Sequence, residues 1–199
     1  MEKKESVIEP IYDRVTAVLS PFTGIEFVDE NLLKPAAERG TRVHSHIEGY
    51  LNGWGFNDVK EDVALYLKSF EIFWEKSKHI FDGGKITLEN RMFCHDKKIT
   101  GQADVIIKVK DRTYLIDWKT SSKKQKSWDL QGAAYRYLCE VEEYKDVDSV
   151  LFVKLSKTGK APSVSKSENH KENLDIFFKC LELYKFFDMK NTRNINRRS

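Results

Sequence analysis

The sequence predicts an α/β protein in which a small mixed β-sheet is flanked by helices. Apolar residues recur at helical spacing up to about residue 80, three segments with strand-like alternation follow, and helical patterns then return around one further strand. Elements in this order are typical of a sheet whose faces are covered by helices. The 199 residues, 40% of them hydrophobic, are predicted to form a single domain with a substantial core.

Two helices are predicted in the first half of the chain. Two prolines and a glycine interrupt residues 11 to 37, so the first helix is expected in GTRVHSHIEGYLNG, which begins at Gly40, with Thr41 as its N-cap. The second helix is expected to begin at Asp58, because Asp58 and Glu61 have the spacing of a capping box. The glycines of HIFDGGK then end this helix.

Three strands are predicted next, because β-branched and aromatic residues are frequent and partly alternate with polar ones at 86–93, 103–109 and 112–118. The residues KDR at 110–112 supply the tight turn between the last two strands. The remaining predicted elements are a helix at about 128–143, a strand at 147–156 and an amphipathic helix at about 168–187.

The composition argues against several classes of protein. The three cysteines are widely spaced and form no C-x-x-C pair, which is atypical of a disulfide framework, a zinc site or a four-cysteine cluster. No apolar run has the length that spans a bilayer, and MEKKESVIEP lacks the apolar segment of a signal peptide. We therefore expect a soluble, cytoplasmic protein without a membrane partner.

Positive charge is concentrated in two places. The tail at about 190–199 contains Lys190 and three arginines without an acid, so the rest of the chain is close to neutral although the formal net charge is +3. The second run, KTSSKKQKS, begins at Lys119. Both runs are compatible with solvated segments and with contact to a polyanion, and charge alone favours the first interpretation.

The segment GQADVIIKVKDRTYLIDWKTSS, at 101–122, places two carboxylates and an ammonium group on a predicted hairpin. Asp117 and Lys119 share one face of their strand, and Trp118 takes the other. A turn centred on Asp111-Arg112 would pair Lys110 with Thr113, Asp104 with Lys119, and Asp117 with Ile106. Because such neighbours are within side-chain reach, the three charged groups are expected to converge at one end of the hairpin.

Two carboxylates a few ångströms apart repel each other unless positive charge neutralises them. Neutralisation by Lys119 alone would make a structural ion-pair cluster, whereas a divalent cation would make a metal site, and oxygen ligands favour Mg²⁺ or Mn²⁺. In such a site a lysine can orient or deprotonate an attacking water, so D-x(12)-D-x-K suits phosphodiester hydrolysis. From the spacing alone, the structural and the catalytic interpretations both stay open.

The residues G-x-x-D, ending at Asp104, and I-D-W-K-T-S, around Asp117, resemble the core of the PD-(D/E)XK nuclease superfamily. The resemblance is to its RecB-like exonuclease branch, which includes phage enzymes and the mitochondrial genome-maintenance exonuclease. It covers roughly residues 12 to 138. Ala103 stands where the superfamily's name has proline, as is common in this branch. The resemblance implies a restriction-endonuclease-like core.

A second motif of this branch resembles GTRVHSHIE, at 40–48. The resemblance implies that His44 is a metal ligand. His46 lies about 200° further round a helix, so both histidines cannot face one ion, whereas Glu48 shares the face of His44. Glu89 lies on the strand before Asp104, where relatives often carry an acid. We expect Glu48 and Glu89 to lie beside the site, and the sequence leaves open whether Glu89 binds the metal.

LQGAAYRY resembles the Q-x-x-x-Y motif of the same branch, with Gln131 and Tyr135 on one helical face. The resemblance implies that both residues support the site, by hydrogen bonding near the lysine and to the DNA backbone. The alternative is that Tyr135 belongs to the core and Gln131 to the surface.

The resemblance implies a divalent-metal-dependent DNA exonuclease of recombination, repair or replication, with Mg²⁺ or Mn²⁺ as its cofactor. Asp104, Asp117, His44 and the Trp118 carbonyl would hold the ion, and Lys119 would position the water. No iron–sulfur cluster is expected, because the four cysteines that hold it in some relatives are missing. No ATP-binding motif of a helicase is present, so unwinding would require a helicase or recombination partner.

The expected substrate is DNA that is single-stranded or has free ends. Its phosphates would be contacted by the two basic runs, and Trp128 would either stack a base or pack in the core. The predicted DNA-binding residues are Lys123, Lys124, Lys126, Trp128, Arg193, Arg197 and Arg198. A structure-specific endonuclease and a non-catalytic nucleic-acid-binding subunit of a recombination complex are the alternatives.

Overall fold

The computed structural model describes residues 11–24, 27–142 and 147–187, and these ranges contain six β-strands and five α-helices. The strands are β1 (Asp13–Arg14), β2 (Lys85–Cys94), β3 (Ile99–Val109), β4 (Arg112–Lys119), β5 (Val147–Lys154) and β6 (Ser163–Lys166). The helices are α1 (Val15–Leu19), α2 (Glu30–Leu51), α3 (Glu61–Ser77), α4 (Ser127–Glu142) and α5 (His170–Phe186). Short 3₁₀ helices, Ser20–Phe22 and Lys78–Ile80, follow α1 and α3.

All six strands belong to one mixed sheet. β2, β3 and β4 form an antiparallel meander, β5 runs parallel to β4 after the crossover through α4, and β6 pairs antiparallel with β5. β1 runs parallel to the first residues of β3, on the edge that β3 shares with β4. The predicted α/β class, a small mixed sheet flanked by helices, is confirmed.

The sheet buries a different apolar cluster on each face, as the alternation of side chains along a strand requires. Ile106 of β3 and Leu115 of β4 point to the first cluster, which α1, α4 and α5 complete. Val105 and Ile116 point to the second cluster, to which α2 and α3 contribute. Each helix therefore covers the sheet along its apolar stripe.

The start of α2 differs from the prediction. The helix begins at Glu30 rather than near Gly40, and Asp29 caps it by accepting a 2.8 Å hydrogen bond from the N–H of Asn31. Pro35 lies inside the helix, near enough to the N-terminus that few intrahelical hydrogen bonds are lost. Thr41 is consequently not an N-cap but a mid-helix residue, and its hydroxyl donates to the carbonyl of Ala37.

The start of α3 and the register of the β3–β4 hairpin also differ from the predictions. Asp58 has a positive φ of 49°, which is unsuited to an N-cap, and α3 begins at Glu61 after Lys60. The hairpin turn contains only two residues, with Lys110 at a φ of 54°, so the pairing is shifted by two positions from the predicted one. The observed pairs are Val109 with Arg112, Lys108 with Thr113, Ile107 with Tyr114, Ile106 with Leu115 and Val105 with Ile116.

A shift of two residues leaves every side chain on its predicted face, because the period of a strand is two. The predicted opposition of Asp104 to Lys119 and of Asp117 to Ile106 is nevertheless wrong, since Ile106 pairs with Leu115. The sequence did not predict β1 and β6, which have two and four residues. No helix in the described ranges combines the length and the apolar character that crossing a bilayer requires.

Candidate active site

Three carboxylates lie in one row across the sheet, one from each of three adjacent strands. The pairs on either side of Glu89 and Asp104 place these residues opposite each other on β2 and β3. The last pair between β3 and β4 is Val105 with Ile116, so Asp104 and Asp117 follow directly as neighbours. The order of the strands therefore brings together acids that are up to 28 positions apart in the sequence.

The row lies where one edge of β3 is left open. In the described part of the chain, β1 pairs with β3 at Ile99 and Thr100, and β4 pairs with it only from Val105 onward. Asp104 lies in the gap, and its Oδ2 accepts a 2.7 Å hydrogen bond from the backbone N–H of Trp118. The Asp104 side chain thus takes the place that a backbone carbonyl has in a regular ladder.

The histidine cluster consists of His44, Glu89 and Asp104. Nδ1 of His44, which projects from α2, lies 3.1 Å from Oδ1 of Asp104. A ligand atom from each of the three residues lies within 4.8 Å of one from each of the others. Burial lowers the pKa of His44, but the charge and hydrogen bond of Asp104 outweigh this effect and raise that pKa to about 9. The ring is therefore an imidazolium at neutral pH.

The lysine cluster consists of Asp117, Lys119 and Gln131. Nζ of Lys119 lies 2.6 Å from Oδ2 of Asp117 and donates a 2.9 Å hydrogen bond to Oε1 of Gln131. Nε2 of Gln131 donates a 3.0 Å hydrogen bond to the other carboxylate oxygen, Oδ1. The three side chains thus form a closed triangle that fixes both the lysine and the carboxylate.

Burial is the main influence on the remaining two acids. It raises the pKa of Asp117, and the charge of Asp104 acts in the same direction while Lys119 opposes it. Burial also raises the pKa of Glu89, again reinforced by Asp104. Glu89 and Asp117 therefore resist ionisation, which means that the row accepts additional positive charge readily.

The residues present fit a divalent cation. The histidine cluster offers carboxylate oxygens and an imidazole nitrogen, the donors that Mg²⁺ or Mn²⁺ takes. The buried Oδ2 of Asp117 receives no well-aligned hydrogen bond, although Nζ of Lys119 is close to it. An acceptor left in this state retains lone pairs for a cation.

Gln131 and Tyr135 project from α4 toward the sheet, and both are buried. Gln131 is therefore not a surface residue, contrary to the alternative considered above. Tyr135 packs in the first apolar cluster, and burial followed by the charge of Asp117 raises its pKa far above the ordinary value. A Cβ atom at Gly101 would approach the Tyr135 ring and Leu138 to 2.8 Å, which explains the glycine of the G-x-x-D motif.

The other predicted residues are placed as follows. Glu48 is half-buried and close enough to Glu89 for its charge to raise the pKa of that residue. Of the two alternatives for Trp128, the structure has packing: its ring is 4% exposed and lies 5.6 Å from that of Phe152, so it is not open to a base. The side chain of His46 contacts Phe56 instead of the acids.

The basic residues at 123, 124 and 126 are exposed, and Nζ of Lys124 lies 3.2 Å from Oδ1 of Asp129. The predicted DNA-binding residues Arg193, Arg197 and Arg198 lie outside the described residues.

Sequence reasoning missed Gln102, which donates a 2.5 Å hydrogen bond from Nε2 to Oε2 of Glu89. Its position two residues before Asp104, on the same strand face, is a signal that could have identified it. The backbone of Glu89 is left-handed, with a φ of 48°, and no sequence pattern predicts this conformation for a glutamate.

A model of the PD-(D/E)XK nuclease superfamily matches residues 63–193, about two thirds of the chain. The matched range includes Glu89, Asp104 and the lysine cluster, but not His44. A comparison with curated proteins finds no significant match.

Among solved structures, the protein named "Putative exonuclease" from Eubacterium rectale is 12% identical over 98% of this chain and 87% of its own, with a TM-score of 0.59. The protein SSO0001 is 18% identical over 89% and 79%, with a TM-score of 0.41. An alkaline exonuclease from Laribacter hongkongensis is 10% identical over 92% and 94%, with a TM-score of 0.40. The first of these three shows a common fold.

Proposed function

Because the chain belongs to the PD-(D/E)XK nuclease superfamily, and is a hydrolase that acts on phosphodiester bonds, we propose that it is a divalent-metal-dependent DNA exonuclease. The observation that carries this proposal is that the two clusters are adjacent, since Asp104 and Asp117 are neighbours on β3 and β4. A lysine fixed by a buried carboxylate and a glutamine lies beside a second group of acids that can hold a cation. This arrangement is what metal-assisted hydrolysis of a phosphate ester requires.

His44, Asp104, Asp117 and the carbonyl of Trp118 are proposed to hold the ion, with Glu89 beside them. When bound, Mg²⁺ or Mn²⁺ supplies positive charge that stabilises the developing negative charge on the phosphate and makes water more acidic. His44 would hold the ion as the neutral ring, because only this form has a lone pair to donate.

Lys119 is proposed to orient the attacking water and to stabilise the charge that develops in the transition state. The triangle with Asp117 and Gln131 restricts the position of its ammonium group, so little reorganisation is needed during the reaction. Gln131 holds both the lysine and the carboxylate, while Tyr135 supports α4 against the strand that carries Asp104. These two residues therefore support the site through the residues that carry the chemistry.

DNA is proposed as the substrate, with the exposed Lys123, Lys124 and Lys126 contacting its phosphates. The choice of an exonuclease over an endonuclease rests on the resemblance of the His44 and Gln131 motifs to the RecB-like branch. A role in recombination, repair or replication, with a helicase or recombination partner, belongs to the same proposal. The chemistry of the two clusters is common to both modes of cleavage, so the mode has to be measured.

The test compares the wild type with Lys119→Ala in Mg²⁺ or Mn²⁺, using linear single strands, linear duplexes and covalently closed circles of DNA. Lys108→Ala is the matched control, because Lys108 is an exposed lysine on the same hairpin away from both clusters. We expect the wild type and the control to degrade the linear DNA only, and Lys119→Ala to degrade none.

Cleavage of the circles would show an endonuclease instead. DNA binding without cleavage by the wild type, in either metal, would overturn the enzymatic proposal in favour of a binding subunit. Unaltered turnover by Lys119→Ala would refute the role given to the lysine. Equal melting temperatures of the three proteins would exclude loss of the fold as the cause.

A further inference from the structure

We propose that Gln102 and Arg91 are positioning residues that hold the carboxylate of Glu89 in the histidine cluster and so set the affinity of this cluster for a divalent cation. The inference rests on the proposed function, because it assigns residues to the same metal site. Neither residue touches the ion in this proposal: Gln102 acts through Glu89, and Arg91 acts through Gln102.

The three side chains form a chain of hydrogen bonds on one face of the sheet. Gln102 pairs with Arg91 across β2 and β3, two residues away from Asp104 and Glu89, so all four lie on the same face. Nη2 of Arg91 donates a 2.7 Å hydrogen bond to Oε1 of Gln102. Nε2 of Gln102 donates to Oε2 of Glu89.

The hydrogen-bond donors and acceptors of the three side chains permit only one order, in which Arg91 donates to Gln102 and Gln102 donates to Glu89. A guanidinium group can only donate hydrogen bonds, so it must face the oxygen of the Gln102 amide. The amide nitrogen then points to Glu89, whose carboxylate can accept the hydrogen bond. Arg91 therefore determines which way the amide is turned, and the amide determines where the carboxylate lies.

Glu89 requires such support more than an ordinary strand residue does. Its φ of 48° is unfavourable for a residue with a side chain, although the pairs on both sides keep the same register. Its carboxylate also lies beside Asp104, whose charge repels it. The hydrogen bond from Gln102 stabilises the charged carboxylate against this repulsion and holds it in the cluster.

If Arg91 is removed, a role through its charge and a role through positioning Gln102 predict opposite changes in the affinity for a cation. The measured change therefore distinguishes the two roles. If Arg91 acted only as a nearby positive charge, its removal would strengthen the binding of a cation. If Arg91 orients Gln102, its removal weakens this binding. Arg14 is the matched control, because it lines the same cavity of about 100 Å³ as Arg91 but forms no hydrogen bond to Gln102 within the described residues.

The experiment measures the dissociation constant of Mn²⁺ by isothermal titration calorimetry, without DNA, for the wild type, Gln102→Met, Arg91→Met and Arg14→Met. We expect Gln102→Met to weaken binding about 10-fold, the low end of the effect of residues that surround the ligands of a metal. Arg91→Met should weaken it less, and Arg14→Met should leave it unchanged or strengthen it. Melting temperatures in chelator measure the stability of the metal-free protein. If Gln102 had only a structural role, its substitution would change this stability without affecting the dissociation constant.

A double-mutant cycle tests whether Gln102 changes the affinity for Mn²⁺ through Glu89. Glu89→Gln should weaken Mn²⁺ binding, and adding Gln102→Met to it should cause little further loss, because Gln102 acts through Glu89. Additive losses, or an unchanged dissociation constant in Gln102→Met, would overturn the positioning role while leaving the nuclease proposal intact. Absence of Mn²⁺ binding by the wild type would overturn both.

Discussion

The histidine cluster and the lysine cluster lie side by side but neutralise their carboxylates differently. In the lysine cluster, Asp117 is paired with an ammonium group that belongs to the chain, and Gln131 fixes both partners. In the histidine cluster, two carboxylates share a single imidazolium whose proton can leave. The cation of the first arrangement is held by two side chains of the protein, whereas that of the second depends on an exchangeable proton.

The difference indicates how two tasks are divided within one row of acids. An exchangeable proton can give way to a divalent cation, so the histidine cluster, together with the carboxylate of Asp117, is suited to bind the ion. The ammonium group of Lys119 is held by an ion pair with Asp117 and a hydrogen bond to Gln131, so this lysine is suited to act on the water and the phosphate. The following predictions test whether metal binding and catalysis depend on different residues of the row.

The largest effect is expected from Asp104→Asn, which removes charge at the point where the clusters meet. Asparagine keeps an oxygen that can accept the hydrogen bond from the Trp118 N–H, so the fold should persist. Cleavage should fall by at least about 10³-fold, and added Mn²⁺ should no longer raise the melting temperature. Thermal melts with and without Mn²⁺, together with DNA degradation assays, measure both. A normal rise in melting temperature would place the ion elsewhere.

The next-largest effect is expected from Lys119→Met, which should reduce cleavage without affecting the binding of the metal ion. Cleavage should fall about 10²- to 10³-fold, because the water and the developing charge lose a positioned cation. The rise in melting temperature on adding Mn²⁺ should remain, since none of the proposed metal ligands is changed. Parallel melts and turnover assays make this comparison. If the variant also lost its response to Mn²⁺, the proposed division between binding and chemistry would be wrong.

A smaller effect is expected from Gln131→Leu, which has a similar volume but makes no hydrogen bonds. Asp117 loses one donor and Lys119 one acceptor, so the free energy of unfolding should fall by about 1–3 kcal/mol. Cleavage should decrease about 10-fold, because the lysine and the carboxylate still pair but are less restrained. Urea unfolding and turnover assays measure these changes. A cleavage rate equal to that of the wild type would exclude a positioning role for Gln131.

The smallest effect concerns pH. The pKa of His44 is raised from 6.5 to about 9 by Asp104, despite the opposing effect of burial, so the protonated ring stabilises the fold. This contribution is fully present below about pH 6.5 and is lost as the pH rises through about 9. Unfolding in urea across this range, in chelator, should show the loss in the wild type and not in His44→Gln. The same slope in both proteins would assign the titration to another group.

The common face of Asp104 and of the two charged residues of the lysine cluster was predictable, because strand periodicity alone determines which residues share a face. Asp104, Asp117 and Lys119 keep their common face even though the predicted hairpin register is shifted by two residues. The prediction that Gln131 lies near the lysine came from the resemblance, and the structure places its amide between Lys119 and Asp117. Local sequence patterns therefore sufficed for residues whose placement depends only on a single hairpin and one helix.

The histidine cluster was less predictable because it depends on contacts between distant elements. The gap on β3 exists because β1, with only two residues, occupies one end of an edge and β4 the other, and a strand this short has no periodic signal. The early start of α2 was missed because Pro35 indicates a break, which a helix tolerates near its N-terminus. The hydrogen bonds of Gln102 follow from the β2–β3 register, which the sequence does not specify.

The left-handed backbone of Glu89 means that heat resistance and metal binding favour different amino acids at this position. Glycine would adopt a φ of 48° without the steric cost of a side chain, a gain of roughly 1 kcal/mol. In a laboratory selection that rewards survival at high temperature in the absence of metal, Glu89→Gly should therefore be enriched. In a selection that rewards DNA degradation, the same substitution should disappear. The residue found at position 89 after each selection would then show whether the variants had been selected for stability or for DNA degradation.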